Sequence, residues 1–115
     1  MRVSRLQTVC EWQDVQPVPP APGSKVGLAM STLGRGPVHA LRHRPSGSTN
    51  GWYIWCGEGP SDDPDFFAPL HVEHLSQYLP ELVEYLDLPP GYRVLVDGAN
   101  YEDAWFDAEL LEVSQ

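Results

Sequence analysis

The sequence predicts an α+β fold, in which an antiparallel sheet carries one or two helices packed on one face. Alternating apolar and polar residues predict strands near residues 38–45 and 92–107. Apolar residues at three- and four-residue intervals predict helix between Val72 and Leu86. Twelve prolines and ten glycines in 115 residues predict short elements joined by many turns, and the length fits one domain.

The first 24 residues are predicted to form an N-terminal arm and a proline-rich connector, ahead of a domain that spans residues 25–115. Alternation in residues 1–14 is weak and is compatible with a strand or a loose arm. Residues 15–24 contain four prolines, which favour an extended connector over a helix or a central strand.

Strands are predicted in the first half of the domain. KVGLAMSTL (25–33) is an apolar run of ambiguous type, whose alternation favours a strand and which ends at the turn signal GRGP. VHALRHRP (38–45) places Val38 and Ala40 on one side, with Arg42 as a further candidate for that side. A turn cluster then leads into GWYIWCGE, which contains four consecutive apolar residues. A strand there is either covered on both faces or leaves one apolar face exposed for binding.

The clearest helical pattern in the chain follows an acidic loop, GPSDDPD. Proline removes a backbone donor, so Pro80 either kinks one helix or occupies the first position of a second, and we favour two short helices. The segment LPPG then ends helix formation. The predicted apolar stripe consists of Val72, Leu75, Leu79, Leu82, Val83 and Leu86.

The C-terminal part of the chain is predicted to form a β-hairpin. YRVLVD alternates, DGAN supplies the turn and YEDAWF returns, all within residues 92–107. DAELLEV is then compatible with a short helix or a strand.

Charge is unevenly distributed along the chain, which carries a formal net charge of −9. Residues 1–50 hold six basic and two acidic residues, whereas residues 51–115 hold one basic and 14 acidic residues. An acidic half repels phosphates, which argues against nucleic-acid binding, and it would attract a basic partner. The simpler interpretation is that the acidity keeps the protein soluble.

No motif for a known chemistry stands out. His71 and His74 lie three residues apart rather than at the HExxH spacing of zinc proteases, and the acidic loop lacks the spacing and glycine of a calcium loop. GxSxG, Walker and GxGxxG motifs are absent, so we predict no catalytic residues, no metal and no cofactor.

Cys10 and Cys56 form no metal-binding pattern and suit a reducing compartment, although a disulfide between them stays open. No apolar run approaches the ~20 residues that span a bilayer, and the N-terminus lacks a signal-peptide pattern. We therefore expect a cytoplasmic protein that does not bind membranes.

The aromatic residues allow two interpretations. Trp52 and Trp55 can pack in the core, as most aromatic side chains do, or one of them can anchor a partner. The same choice applies to Phe66, Phe67, Trp105 and Phe106.

Four blocks in order resemble the immunity protein 33-like domain of bacterial toxin systems: GWYIWCGE, DFFAPLHVEHL, LPPGYR and WFDAELL. The resemblance covers about residues 25–113, and Tyr92 stands where we expect tryptophan from the family pattern, which is a conservative departure. The family pattern implies structural roles for Gly51, Trp52, Trp55, Gly57, Glu58, Asp65, Phe66, Phe67, Pro90, Gly91, Arg93, Trp105 and Asp107.

The resemblance implies a cytoplasmic immunity protein that binds and neutralises a cognate toxin and carries no catalytic residues. Acidity would suit a basic toxin, such as a nuclease with a cationic active site. The residues that we expect to contribute to toxin binding are Glu73, Glu81, Glu84, Asp87, Glu102 and Asp103.

Two alternatives stay open. One is a small enzyme or ligand-binding domain with a pocket around Trp52, Trp55 and His74. The other is an interaction module unrelated to toxins. The sequence identifies neither the toxin nor the oligomeric state.

Overall fold

The computed structural model describes residues 7–98 and 101–112. An α-helix, α1, spans Val9–Gln13, and short 3₁₀ helices span Met30–Thr32, Val72–Gln77, Pro80–Tyr85 and Ala108–Leu111. The strands are β1 Lys25–Leu28, β2 Val38–Arg42, β3 Thr49–Cys56, β4 Ala68–His71, β5 Tyr92–Asp97 and β6 Tyr101–Phe106.

The six strands form one mixed sheet in the order β4-β1-β3-β2-β5-β6. The prediction of an antiparallel sheet is wrong at one pairing, because β1 and β3 run parallel. Strand β3 lies between β1 and β2, and the connection between those two strands runs past the C-terminal end of β3, where β1 ends at the Leu28–Ile54 pair and β2 begins at the Val38–Cys56 pair. Alternation within a strand reports which side chains are buried, and it does not report the direction of the neighbouring strand.

The sheet has an inner face that carries the core and an outer face, where the Leu110 carbonyl oxygen of the last 3₁₀ helix lies 2.9 Å from the His43 Nδ1. On the inner face, Ile54, Ala40, Val94 and Ala104 form one row across four strands. On the outer face, the next row consists of Trp55, His39, Leu95 and Asp103. The inner row is buried, whereas the outer row ranges from buried Trp55 to half-buried Asp103.

Two 3₁₀ helices cover the inner face, which confirms two helical elements divided at Pro80. Leu75, Leu79, Leu82 and Leu86 are buried in the core cluster, as the stripe predicts. The prediction that Val83 belongs to the buried stripe is wrong, because 44% of its side chain is exposed. The reason is the tighter 3₁₀ turn of three residues, which rotates positions away from a stripe read at 3.6 residues per turn.

The N-terminal segment contains an α-helix rather than the strand or loose arm that weak alternation suggested. Helix α1 begins at a capping box, in which the Thr8 hydroxyl accepts the Glu11 N–H and the Glu11 carboxylate accepts the Thr8 N–H. Val9 and Cys10 of this helix belong to the core cluster. The proline-rich segment after it is extended, as predicted, and the Val18 N–H donates to the Asp87 carbonyl oxygen at 2.7 Å.

The predicted hairpin is confirmed: β5 and β6 pair antiparallel from Tyr92–Phe106 to Asp97–Tyr101. Within its turn, residues 99–100 lie outside the described residues. The segment after β6 forms the 3₁₀ helix Ala108–Leu111, capped by the Asp107 carboxylate, which accepts the Glu109 N–H at 3.1 Å.

Candidate functional site

Four of the predicted toxin-binding carboxylates lie on or just after the helices that cover the inner face. Glu73 is exposed, and its carboxylate accepts the Gly23 N–H at 2.8 Å. That bond is the main reason why the pKa of Glu73 lies below its usual value. In the second helix Glu81 is half-buried and Glu84 is exposed, and Asp87 is exposed just beyond the helix end.

The hairpin separates the other two carboxylates, because adjacent residues of a strand point to opposite faces. Glu102 lies on the inner face, where its carboxylate accepts the Tyr85 hydroxyl. Asp103 lies on the outer face, where its carboxylate accepts the Ala104 N–H at 2.9 Å and faces the Tyr101 hydroxyl at 3.4 Å. The six predicted residues therefore do not share one surface: the sheet divides Asp103 from the other five.

Two glycines of the family pattern have a clear structural cause. Gly51 has a φ of +94°, and a Cβ there would overlap the His43 carbonyl oxygen. Gly91 has a φ of +102°, and a Cβ there would strike the Phe106 ring. Both backbone positions exclude ordinary side chains, first by conformation and then by space.

Two further pattern positions form an ion pair between β5 and the residue after β6. The Arg93 Nε donates to the Asp107 Oδ2 at 2.8 Å, and this bond is the main reason why the pKa of Asp107 lies below its usual value. Because Asp107 also caps the last 3₁₀ helix, the pair fixes where the chain leaves the sheet.

The two tryptophans of β3 have different surroundings. Trp52 is buried on the inner face, and its indole N–H donates to the Leu86 carbonyl oxygen at 3.1 Å. Trp55 is buried on the outer face, where it stacks on His39 with a ring-centroid distance of 5.0 Å. Its indole nitrogen has no hydrogen-bond partner among the described residues.

A cluster of rings covers the outer face beside Trp55. Phe67 contacts both Tyr53 and Trp55, at centroid distances of 5.1 and 6.2 Å, and Phe66 packs on Phe67 at 4.9 Å. Burial in this cluster lowers the pKa of His39. The rings of this cluster therefore pack on one another, as the core interpretation of the aromatic residues expects.

Several pattern positions are not explained by packing. Glu58 is exposed just before the acidic loop, Asp65 is exposed within it, and Trp105 is 41% exposed on β6. Gly57, in contrast, is buried at a φ of +77° and donates its N–H to the Pro37 carbonyl oxygen at 2.8 Å, and Pro90 is half-buried.

Trp52 and Trp55 point to opposite faces of the sheet, so these two described side chains cannot line one pocket together with His74. His74 is exposed beside His71, at a ring-centroid distance of 5.7 Å. A cavity of about 440 Å³ lies elsewhere, between α1 and the end of the second helix. Its lining includes Cys10, whose thiol pKa is raised by burial, together with Glu84 and Asp87.

Within the described ranges, no three side chains of His, Cys, Asp or Glu come together in a way that could hold a metal ion. In the same residues no helix has the length and apolarity that crossing a membrane requires.

Arg42 is a buried side chain with several hydrogen bonds, and the sequence indicated its burial only weakly. It is 1% exposed, its guanidinium donates to carbonyl oxygens of Asn50, Val18 and Leu88, and it lies over the Trp52 ring. Burial lowers its pKa to about 10. The only indication was its position in an alternating strand, where it falls on the same side as the apolar residues Val38 and Ala40.

Comparison with protein families matches residues 5–107 to the Imm33-like domain. The match begins at residue 5, whereas the resemblance described above starts at about residue 25, so the match also includes α1 and the proline-rich segment. Neither curated proteins nor solved structures gave a significant match. Since the family match spans most of its length, the chain belongs to the Imm33-like domain family.

Proposed function

We propose that this chain is an immunity-type protein that binds a cognate bacterial toxin and neutralises it through protein–protein contact, without catalysis. Membership of the Imm33-like family carries the proposal. The distribution of charge supports it, because 14 acidic residues against one basic residue after position 50 favour a basic partner. Both cysteines are free thiols, which suits action in the cytoplasm.

The proposal predicts rescue by stoichiometric binding. The chain would be co-expressed with candidate toxins of the producing strain, and suppression of killing would identify the cognate toxin. In a purified toxin assay, inhibition by a binder ends at a fixed molar ratio, whereas an enzyme acting on the toxin or its product would protect well below that ratio. Protection at one hundredth of the toxin concentration would refute the binding mechanism.

The acidic surface of the second helix is proposed to assist association. Charges near an interface act mainly on the association rate and its dependence on salt. Reversing Glu81 and Glu84 to lysine should therefore slow association with the toxin and flatten that salt dependence. An association rate that stays unchanged at low and high salt would show that these carboxylates play no part.

A further inference from the structure

Exposed aromatic side chains concentrate on one edge of the sheet. Tyr101, Trp105 and Phe106 are 47%, 41% and 52% exposed, and all three belong to the six-residue strand β6. Among the described residues β6 has a single strand neighbour, β5, so its other side is an edge. Tryptophan and tyrosine are the side chains that most often anchor a protein partner.

The register shows which backbone groups of β6 face that edge. The Asp107 N–H donates to the Gly91 carbonyl oxygen at 2.7 Å, next to the Tyr92–Phe106 pair. Residues of an antiparallel strand bond alternately to one side and the other, so the N–H and C=O groups of residues 102, 104 and 106 point away from β5. The Ala104 N–H bonds to the Asp103 carboxylate at 2.9 Å, as expected for a group without a partner in β5.

The two edges of the sheet differ in their capacity to accept another strand. Strand β4 has four residues and contains Pro69, and short length and proline both protect an edge from pairing. Strand β6 has six residues and no proline. One charged side chain, Asp103, covers one of its outward N–H groups, and that carboxylate can turn away without disturbing the ladder to β5.

The charge at this edge defines the partner. Residues 97–112 contain six carboxylates and no lysine, arginine or histidine. Among the described residues, Arg93 pairs with Asp107, and Arg44 donates to the Leu111 carbonyl oxygen at 3.0 Å. A second copy of this chain paired at β6 would bring like charges together, whereas a basic strand would neutralise them.

We propose that β6 is the docking strand for the toxin, and that a lysine- or arginine-bearing segment of the toxin pairs with the edge of β6 that faces away from β5, as an added strand. Trp105 and Tyr101 flank that segment on the outer face and Phe106 flanks it on the inner face. The Asp103 carboxylate leaves the Ala104 N–H, which then donates to the toxin backbone, and binds a toxin cation. This inference rests on the proposed function and names its surface.

The first test uses the toxin that rescue identifies, carrying a mutation that removes its killing activity. Trp105→Ala should weaken binding about tenfold or more, as loss of a central anchor does. The matched control is Tyr78→Ala, since Tyr78 is 39% exposed on the helical side. Wild-type affinity in Trp105→Ala, or equal losses in the two variants, would overturn the docking strand.

The second test separates charge at β6 from charge in general. Asp103→Lys and Asp62→Lys change the net charge equally, and Asp62 lies in the exposed loop that leads to β4, the opposite edge. Asp103→Lys should lower the affinity about tenfold more than Asp62→Lys does, as expected for a contact charge compared with a remote one. Equal effects would contradict contact at Asp103.

Hydrogen exchange tests backbone pairing itself. Toxin binding should slow exchange at the amides of residues 102, 104 and 106 and leave the β4 edge unchanged. Tight binding with unchanged exchange at these three amides would overturn strand addition.

A probe independent of the toxin is a synthetic heptapeptide of alternating lysine and valine, with a glutamate–valine peptide as the control. Changes in the amide NMR shifts of residues 102, 104 and 106 are expected with the lysine peptide alone. Equal changes with both peptides, or no change at these amides, would overturn the inference.

Failure to find a toxin that this chain suppresses refutes the proposed function, whereas toxin binding that survives Trp105→Ala and Asp103→Lys refutes only the docking strand.

Discussion

Replacing Arg42 by methionine should destabilise the fold strongly, although methionine fills much of the same volume. The guanidinium is buried and donates to carbonyl oxygens of Val18, Leu88 and Asn50 at 2.6, 2.7 and 3.0 Å. Substitution removes the donors and leaves the carbonyl groups in place. The variant therefore leaves acceptors unpaired, unlike a change that replaces both partners of a buried pair with apolar groups.

The expected loss follows from those acceptors. Each buried polar group that loses its partner costs about 1–3 kcal/mol, so Arg42→Met should lose about 2–5 kcal/mol, allowing for partial repair by water. Since small domains are stable by about 5–15 kcal/mol, the variant should still fold at low temperature. Its melting temperature should fall by about 8–20 °C, at about 4 °C per kcal/mol.

The measurement is urea unfolding followed by circular dichroism, with free energies compared at equal slopes. The control is Arg44→Met, because Arg44 is exposed and donates to one carbonyl oxygen, that of Leu111, and it should lose less than about 1 kcal/mol. If Arg42→Met also stays within about 1 kcal/mol of the wild type, the buried guanidinium does not hold these segments together.

Further variants test other parts of the structure. Gly91→Ala should lose about 1–3 kcal/mol of unfolding free energy, more than Gly98→Ala, which has open space for a methyl group. Stability should fall as the pH drops below 6.5, where the unfolded chain protonates His39 before the folded chain does, and His39→Gln should flatten that slope. Cys10 and Cys56 should react slowly with a thiol reagent in the native protein and fully in urea. Deleting residues 1–24 should lower the melting temperature.

Strands were the most predictable part of this fold, because alternation directly reports burial. The pattern of β2 places Val38, Ala40 and Arg42 inward, and all three are buried. The parallel pairing of β1 with β3 could not be predicted in the same way. It depends on which strand inserts between two others, and the side-chain pattern of β1 carries no information about that choice.

The positions of the candidate site residues were harder to predict, for two physical reasons. The six carboxylates were grouped by charge alone, without regard to the direction of their side chains. The predicted hairpin already implied that Glu102 and Asp103 point to opposite faces of the sheet, because successive residues of a strand do so. The exposure of the β6 side chains depends on whether another strand pairs with β6, and the sequence YEDAWF does not indicate whether its strand lies at the edge or in the middle of the sheet. The family pattern implied a structural role for Trp105, whereas its residue type left partner binding open, and 41% of its side chain is exposed.

The N-terminal segment contacts the domain although its composition is that of a linker. Four prolines make residues 15–24 look like a linker, yet an extended chain can still offer its backbone groups to a neighbouring surface. The Val18 carbonyl oxygen accepts a hydrogen bond from buried Arg42, and the Val18 N–H donates to the Asp87 carbonyl oxygen, while Val9 and Cys10 belong to the core.

A boundary at residue 25 stays a prediction, and deletion of residues 1–24 tests it. If residues 25–115 melt at the wild-type temperature, these contacts contribute little and the arm is separable. A lower melting temperature would place the segment within the folding unit, because Arg42 would lose an acceptor and the core would lose two of its apolar side chains.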